Sequence, residues 1–376
     1  MKIGYISDYN PFQDKKAWSG SIYKLRESIE NAGYEVIWIP YKSTSIWIRF
    51  VLCILRCLLH GKITAYTQNR FIYRIYANSI DEKSKIFEQC DCLFFPCGAQ
   101  IALFLKTNKP IISYADSTFK SMVNYYWYNV HPWVIREGSR YERKAIHKAM
   151  VNIRASKWAA DSVINDYGFD SNKTFVLPLG PTLEPRDLVP VLPYSSGTLY
   201  ILFSGVEWNR KGGDIAVKSV ERLIYLGIDA KLVIVGIREL PEKYKQLDFI
   251  DYVGFLDKNI ELEYQLYIRT IQKCNILLLP TKAECAGIVF SEASAFGLPI
   301  FTYDTGGVGD YVFNGINGYR LPIESTYIDF SDCIKRVIES GEYVRLYKGC
   351  LDVYSQKLDW KVWSSSFKKI VEDNVI

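Results

Sequence analysis

Two series of short, nearly continuous apolar runs, parted by a proline-rich stretch, limit what this chain can fold into. The first series is KIGYIS (2–7), YEVIWIPY (34–41), CLFFPCG (92–98), KPIISYAD (109–116), MVNIRAS (150–156) and KTFVLPLG (173–180). The second is LYILFSG (199–205), AKLVIVG (230–236), FIDYVGF (249–255), NILLLPT (275–281) and LPIFTYDTGG (298–307). Strands that are apolar at successive positions are buried on both faces, and helical patterns lie between them as crossovers. Parallel sheets covered by helices are therefore expected, the α/β doubly wound class.

The stretch between the two series, LPLGPTLEPRDLVPVLPYSSG (177–197), holds Pro178, Pro181, Pro185, Pro190 and Pro193. That density continues neither a helix nor a central strand, so it reads as an interdomain linker. A boundary near 185–198 follows, with one Rossmann-like domain over 1–185 and a second over 186–356. Two domains also suit 376 residues of which 49% are hydrophobic. Such a pair would leave a central cleft lined by the carboxyl ends of both sheets, where ligands bind in these folds.

Composition removes several classes. No run of about 20 apolar residues occurs, so no transmembrane helix is expected. The start, MKIGYISDYN, has no long apolar region followed by small residues, so no secretory leader is expected. Nine cysteines, an odd number, fall mostly in apolar runs and point to a reducing cytoplasm. The closest cluster, Cys90, Cys92 and Cys97, has no histidine near it in sequence, so buried structural thiols are favoured over a metal site. A net charge of +5 is too modest for a nucleic-acid binder.

Two loops carry candidate chemistry. After ILFSG comes VEWNRKGGDIAVK, which places Arg210 and Lys211 before a helix entered through Gly212 and Gly213. A helix N-terminus favours an anion and the two cations add to it, so the loop reads as a diphosphate clamp or as an exposed basic turn. Asp214 is expected to cap that helix. Further on, AECAGIVFSE sets Glu284 in a loop after a strand and Glu292 one turn into a helix expected over 288–296. Gly287 and the N–H groups of Ile288, Val289 and Phe290 would stand at the helix start and face the cleft. A phosphate would sit there, with the carboxylates accepting from hydroxyl groups beside it. A hydrolytic acid–base pair is disfavoured. The bland alternatives are a solvated Glu292 and a loop Glu284.

Glu284-x7-Glu292, with ASAFGLPIFTYDTGGVGDYVFNGINGYRL after it and FSGVEWNRKGG before it, resembles the retaining glycosyltransferases of family 4, which have the GT-B fold. The first half resembles them more loosely, through AWSGS (17–21) and VNIRASKWAADSVINDYG. The resemblance implies that Glu284 contacts the sugar of a nucleotide-sugar donor and Glu292 its ribose. Arg210 and Lys211 would neutralise the diphosphate, Gly20 would let the first loop close over it, and Gly254-Phe255 would face the base. The last segment, 357–376 with Trp360 and Trp363, would cross back onto the first domain as a helix. Val206 stands where the family often has Arg, and Asp116 where it often has His, so Asp116 is a candidate to hold a donor or acceptor hydroxyl, or else a helix cap. No two Asp stand two apart, so no Asp-x-Asp metal site, no metal and no cofactor are expected. The implied activity is retaining transfer of a sugar to a hydroxyl of a glycan or lipid-linked acceptor, in surface polysaccharide or glycoconjugate synthesis. The alternatives are a nucleotide-sugar epimerase of the same fold, or a non-catalytic sugar-nucleotide-binding subunit.

From Val36 to Ile80 there is no Asp or Glu, while Lys42, Arg49, Arg56, Lys62, Arg70 and Arg74 are present. The run 45–62 reads as a helix too short to span a bilayer, packed in the first domain or lying on an anionic membrane surface. Peripheral membrane contact through 42–76 is thus one expectation.

Overall fold

The computed structural model describes residues 1–42, 50, 53–54, 65 and 67–375. Most of the expected 45–62 helix lies outside the described residues. The chain divides into two compact units, Met1–Leu177 with Ser364–Ile376, and Pro178–Trp363.

The first unit holds a parallel sheet in the order β2-β1-β3-β4-β5-β6. Its strands are β1 Lys2–Ser7, β2 Glu35–Pro40, β3 Cys92–Pro96, β4 Ile111–Ala115, β5 Val151–Arg154 and β6 Thr174–Val176. The central strands β3 and β5 are buried at every position, as runs covered on both faces must be. The edge strands β2 and β6 are half-buried or exposed at most positions. Cys90 and Cys92 sit at this sheet as apolar filling, and burial pushes the Cys92 thiol up to about 12.

The second unit holds a parallel sheet in the order β12-β11-β10-β7-β8-β9. Its strands are β7 Leu199–Ser204, β8 Ala230–Val235, β9 Ile250–Gly254, β10 Ile276–Leu279, β11 Ile300–Tyr303 and β12 Gly318–Leu321. Among the described residues, eleven of twelve strands fall in the apolar runs. The twelfth, β12, was not expected: it lies at an edge and reads Gly-Tyr-Arg-Leu, with a single aliphatic residue, so no apolar run marks it.

The proline-rich stretch packs on the second unit. Leu183 is buried in its core, the Leu179 N–H donates to the Tyr311 hydroxyl at 2.9 Å, and the Val191 N–H donates to the Phe296 carbonyl at 3.0 Å. The last helix, Trp360–Asn374, starts in this unit, where Trp360 Nε1 donates to the Pro181 carbonyl at 2.7 Å. From Ser364 it belongs to the first unit, with Phe367 set edge-on to Phe94 at 5.9 Å and to Tyr34 at 6.1 Å.

Candidate functional site

In the second sheet, β7, β8 and β9 run outward in one direction, and β10, β11 and β12 in the other. The order reverses between β7 and β10, and the carboxyl ends flanking such a reversal leave a crevice. Both candidate loops leave the sheet there. After β7 the chain makes a four-residue helix, Trp208–Lys211, then turns at Gly212 into the helix Gly213–Tyr225. After β10 it passes through Glu284 to the helix Ile288–Phe296.

The two loops are stitched by backbone. The Lys282 N–H donates to the Arg210 carbonyl at 2.8 Å, and Arg210 Nη1 donates to the Ala283 carbonyl at 3.0 Å. Gly212 makes this approach possible. Its φ is +78°, and a Cβ there would meet the Pro280 carbonyl oxygen at 2.1 Å. Gly212→Ala is expected to cost about 1–2 kcal/mol for the left-handed backbone alone, and more for the clash. The expected readout is a lower melting midpoint. A wild-type melting curve would disprove the close approach.

Four charges converge at this junction. Lys211 donates to Glu284 Oε2, and both residues are buried, at 8% and 7% exposure. Arg210 lies 3.9 Å from the same Glu284 oxygen. It also makes a two-point contact with Glu207, at 2.9 and 3.2 Å. That hydrogen bonding holds the Glu207 carboxyl below the usual carboxylate range. The two cations are thus matched by two carboxylates. The pair Lys211–Glu284 is 73 residues apart in sequence.

The helix Ile288–Phe296 begins at Gly287, and no side chain caps it. A Cβ on Gly287 would meet the Phe290 ring at 2.0 Å, so only glycine fits beside that buried ring. First-turn N–H groups have no acceptor within their own helix, which leaves those of Ile288 and Val289 suited to an anion. The helix is buried from Phe290 to Phe296 on every side.

Glu292 is 2% exposed, which rules out the solvated reading. Its Oε1 accepts from Lys258 Nζ at 2.8 Å and the Thr182 hydroxyl at 3.0 Å, and its Oε2 from the Tyr267 hydroxyl at 2.6 Å. Lys258 also lies 4.2 Å from the Tyr267 ring centre. Burial first, and the Glu292 carboxylate second, push the Tyr267 phenol well above its ordinary value. Sequence reading had missed Lys258, Tyr267, Thr182 and Glu207. Only Glu207, three residues before Arg210, stood close enough to be noticed.

The remaining candidates are spread. Gly254 ends β9 with φ +87°, and its carbonyl accepts from the Gly236 N–H at 2.8 Å. Phe255 follows it, with the Arg238 guanidinium 4.2 Å from its ring centre. Asp214 does not cap its helix. It accepts from Trp208 Nε1 and the Tyr244 hydroxyl, both at 2.9 Å, and so ties the basic turn down. Gly20 and Asp116 belong to the first unit. Gly20, at φ +91°, is the buried entry to the helix Ser21–Asn31. Asp116 follows β4 and accepts from Trp18 Nε1 at 3.2 Å, so the loop after β1 reaches the end of β4. The cap of the next helix is Thr118, not Asp116.

The family model of glycosyl transferases group 1 matches residues 189–348. Granule-bound starch synthase 1 of Ipomoea batatas is 23% identical over 185 residues, covering 45% of this chain and 29% of its own. The chain thus spans less than a third of that relative. A lipopolysaccharide outer core galactosyltransferase, WaaB, superposes with a TM-score of 0.65 at 15% identity, over 99% of each chain. HepE of Anabaena, solved with UDP and glucose, superposes with a TM-score of 0.59 at 14% identity, over 99% of each chain. These likenesses show the fold, and the family match falls inside the unit that carries the charge cluster. Residues 189–348 thus match the group 1 glycosyl transferases, within a chain of the GT-B fold.

Proposed function

We propose that this chain is a retaining glycosyltransferase that moves a sugar from a nucleoside-diphosphate donor to a hydroxyl of a glycan or lipid-linked acceptor, in surface polysaccharide or glycoconjugate synthesis. The observation that carries the reading is the meeting of Arg210, Lys211 and Glu284 at the reversal point of the second sheet, in the loop that leads to an uncapped helix start. A diphosphate would take the Ile288 and Val289 N–H groups and draw on Lys211 and Arg210. Glu284 and Glu292 would accept from hydroxyls of the sugar and the ribose, and Gly254-Phe255 would face the base. Asp116 would accept from a further substrate hydroxyl. The bond from the anomeric carbon to the diphosphate oxygen breaks as the acceptor oxygen bonds on the same face. The acceptor's proton passes to the departing diphosphate. Charge that develops on that oxygen is stabilised by the cations, with no metal required.

A donor panel read by nucleotide release tests this, with UDP-sugars first because HepE holds UDP. Transfer that persists in excess chelator is expected, and loss of activity on chelation would remove the metal-free part. Glu292→Ala is expected to raise the donor KM at least about tenfold, since it removes hydroxyl acceptors and strands the Lys258 charge. Binding without turnover across the panel would favour the non-catalytic subunit.

Attachment to the cytoplasmic face of an anionic membrane through 42–76 forms part of the proposal. On the helix Arg70–Asn78, Arg70, Phe71, Arg74 and Ile75 are exposed, which mixes charge with apolar surface. No helix among the described residues is long and apolar enough to cross a membrane. Sedimentation with anionic vesicles, weakened by salt, is the expected result, and no binding at low salt would exclude it.

A further inference from the structure

The helix Glu261–Gln272 of the second unit turns apolar residues outward as well as inward. Its inner face is buried through Tyr264, Tyr267, Ile268 and Ile271. On the outer face Leu262 is 79% exposed and Leu266, one turn on, is exposed too, with Ile260 exposed just before the helix. The proline-rich stretch runs beside this helix. The Tyr264 hydroxyl accepts from the Glu184 N–H and donates to Asp187 Oδ2, both at 2.8 Å. Further along, Val189 to Leu192 line one hollow with Gln272, Cys274 and Asn275. Leu188 and Val191 pack on the core there, while Val189 and Leu192 are exposed, Leu192 at 88%. Single exposed aliphatic residues need no account, but five along one helix and the stretch beside it mark an interaction surface.

The charges on the helix identify the occupant. Glu261 lies in its first turn and Arg269 in its last, and both are exposed. Lys273, just beyond, is paired with Asp251 at 2.5 Å, and Glu263 Oε2 accepts from the Asp257 N–H. Glu261 and Arg269 meet only neutral groups of Gln265 between them. Gln265 Nε2 donates to Glu261 Oε1 at 2.9 Å, and Arg269 Nε donates to the Gln265 carbonyl at 3.3 Å. Among the described residues neither is in an ion pair.

We propose that this face is a homodimer interface, in which the helix packs antiparallel against the same helix of a second copy, about a two-fold axis beside Gln265. That arrangement sets Glu261 beside the partner's Arg269, and symmetry makes the pair twice. Leu262 and Leu266 then cover their own counterparts, and the positive end of each helix dipole meets the negative end of the other. An unrelated partner would have to supply both signs of charge in the right order. A second copy supplies them by symmetry. Specific interfaces bury roughly 1,200–2,000 Å² in total. One helix stripe falls short of that, and the Val189–Leu192 stretch beside it extends the contact. The dimer does not rest on the glycosyltransferase reading.

The test is the oligomeric state of the full chain, by sedimentation equilibrium over a concentration series. The expected result is a reversible dimer. Leu266→Asp, Glu261→Arg and Arg269→Glu are each expected to weaken it at least about tenfold, because each acts twice and the reversals set like charges together. The double variant Glu261→Arg with Arg269→Glu is expected to return to within about threefold of the parent, since the pair is restored with its signs exchanged. Melting curves that match the parent show that the substitutions leave folding intact. A monomer at every concentration up to the solubility limit overturns the proposal, and so does a dimer that the single reversals leave unchanged. Single variants that weaken the dimer without recovery in the double variant overturn the antiparallel pairing.

Discussion

Lys211→Ala is expected to lower kcat by about two to three orders of magnitude, the scale seen when one stabiliser of transition-state charge is removed. Lys211 is buried against Glu284, and a diphosphate has to draw its charge from that pair. The same substitution leaves the Glu284 carboxylate buried with its closest cation gone, and such a break costs about 3–5 kcal/mol. Activity loss alone would therefore not separate chemistry from instability. The double variant Lys211→Met with Glu284→Leu does so. Replacing both members of a buried pair by apolar groups of similar volume is often neutral for stability. The double variant is expected to melt near the parent and still fail to transfer. Transfer by Lys211→Ala at the parental rate with saturating donor would show that the clamp is misassigned.

Glu142→Gln is expected to reshape the pH dependence of stability. Burial first raises the Glu142 carboxyl, with the Arg154 charge and the Gln100 and Phe119 hydrogen bonds opposing, and the result is a pKa of about 7 against 4.5. The sign follows from proton binding. Below about pH 4.5 both folded and unfolded chains hold the proton, and the full stability is present. Between 4.5 and 7 the unfolded chain releases it while the folded chain keeps it, so stability falls as pH rises. A shift of this size is worth about 3 kcal/mol once the pH passes 7. The glutamine variant carries no such loss. Its stability relative to the parent is expected to rise between pH 5 and pH 8, measured by denaturant unfolding at each pH. Parallel profiles for the two proteins would place the titration elsewhere.

Much of the fold was legible because parallel sheets write themselves locally. Six apolar runs gave the first sheet, five gave all but one strand of the second, and the helix over 288–296 starts and stops as its glycines predict. The missing strand, β12, is paired to β11 along Ile300–Tyr303 and has little hydrophobicity of its own, so only its partner reveals it. The proline-rich stretch was legible as a break in the strand pattern. Its packing on the second unit was not, because Leu183 and Val191 find their partners far along the chain.

The candidate site divides in the same way. Sequence alone determined which residue types stand where a strand gives way to a helix: Arg210 and Lys211 after β7, and Glu284, Gly287 and Glu292 after β10. Those placements follow from local rules of strand ends, glycine turns and helix starts, which act within a few residues. Tertiary structure alone decided that Lys211 is neutralised by Glu284, and that Glu292 is buried and held by Lys258, Tyr267 and Thr182. It alone gathered Gln100, Glu142 and Arg154 around one cavity. The reason is physical. A charge can be buried only where a partner or hydrogen bonds reach it, and which partner does so depends on sheet order and crossover paths, which no short stretch of sequence encodes.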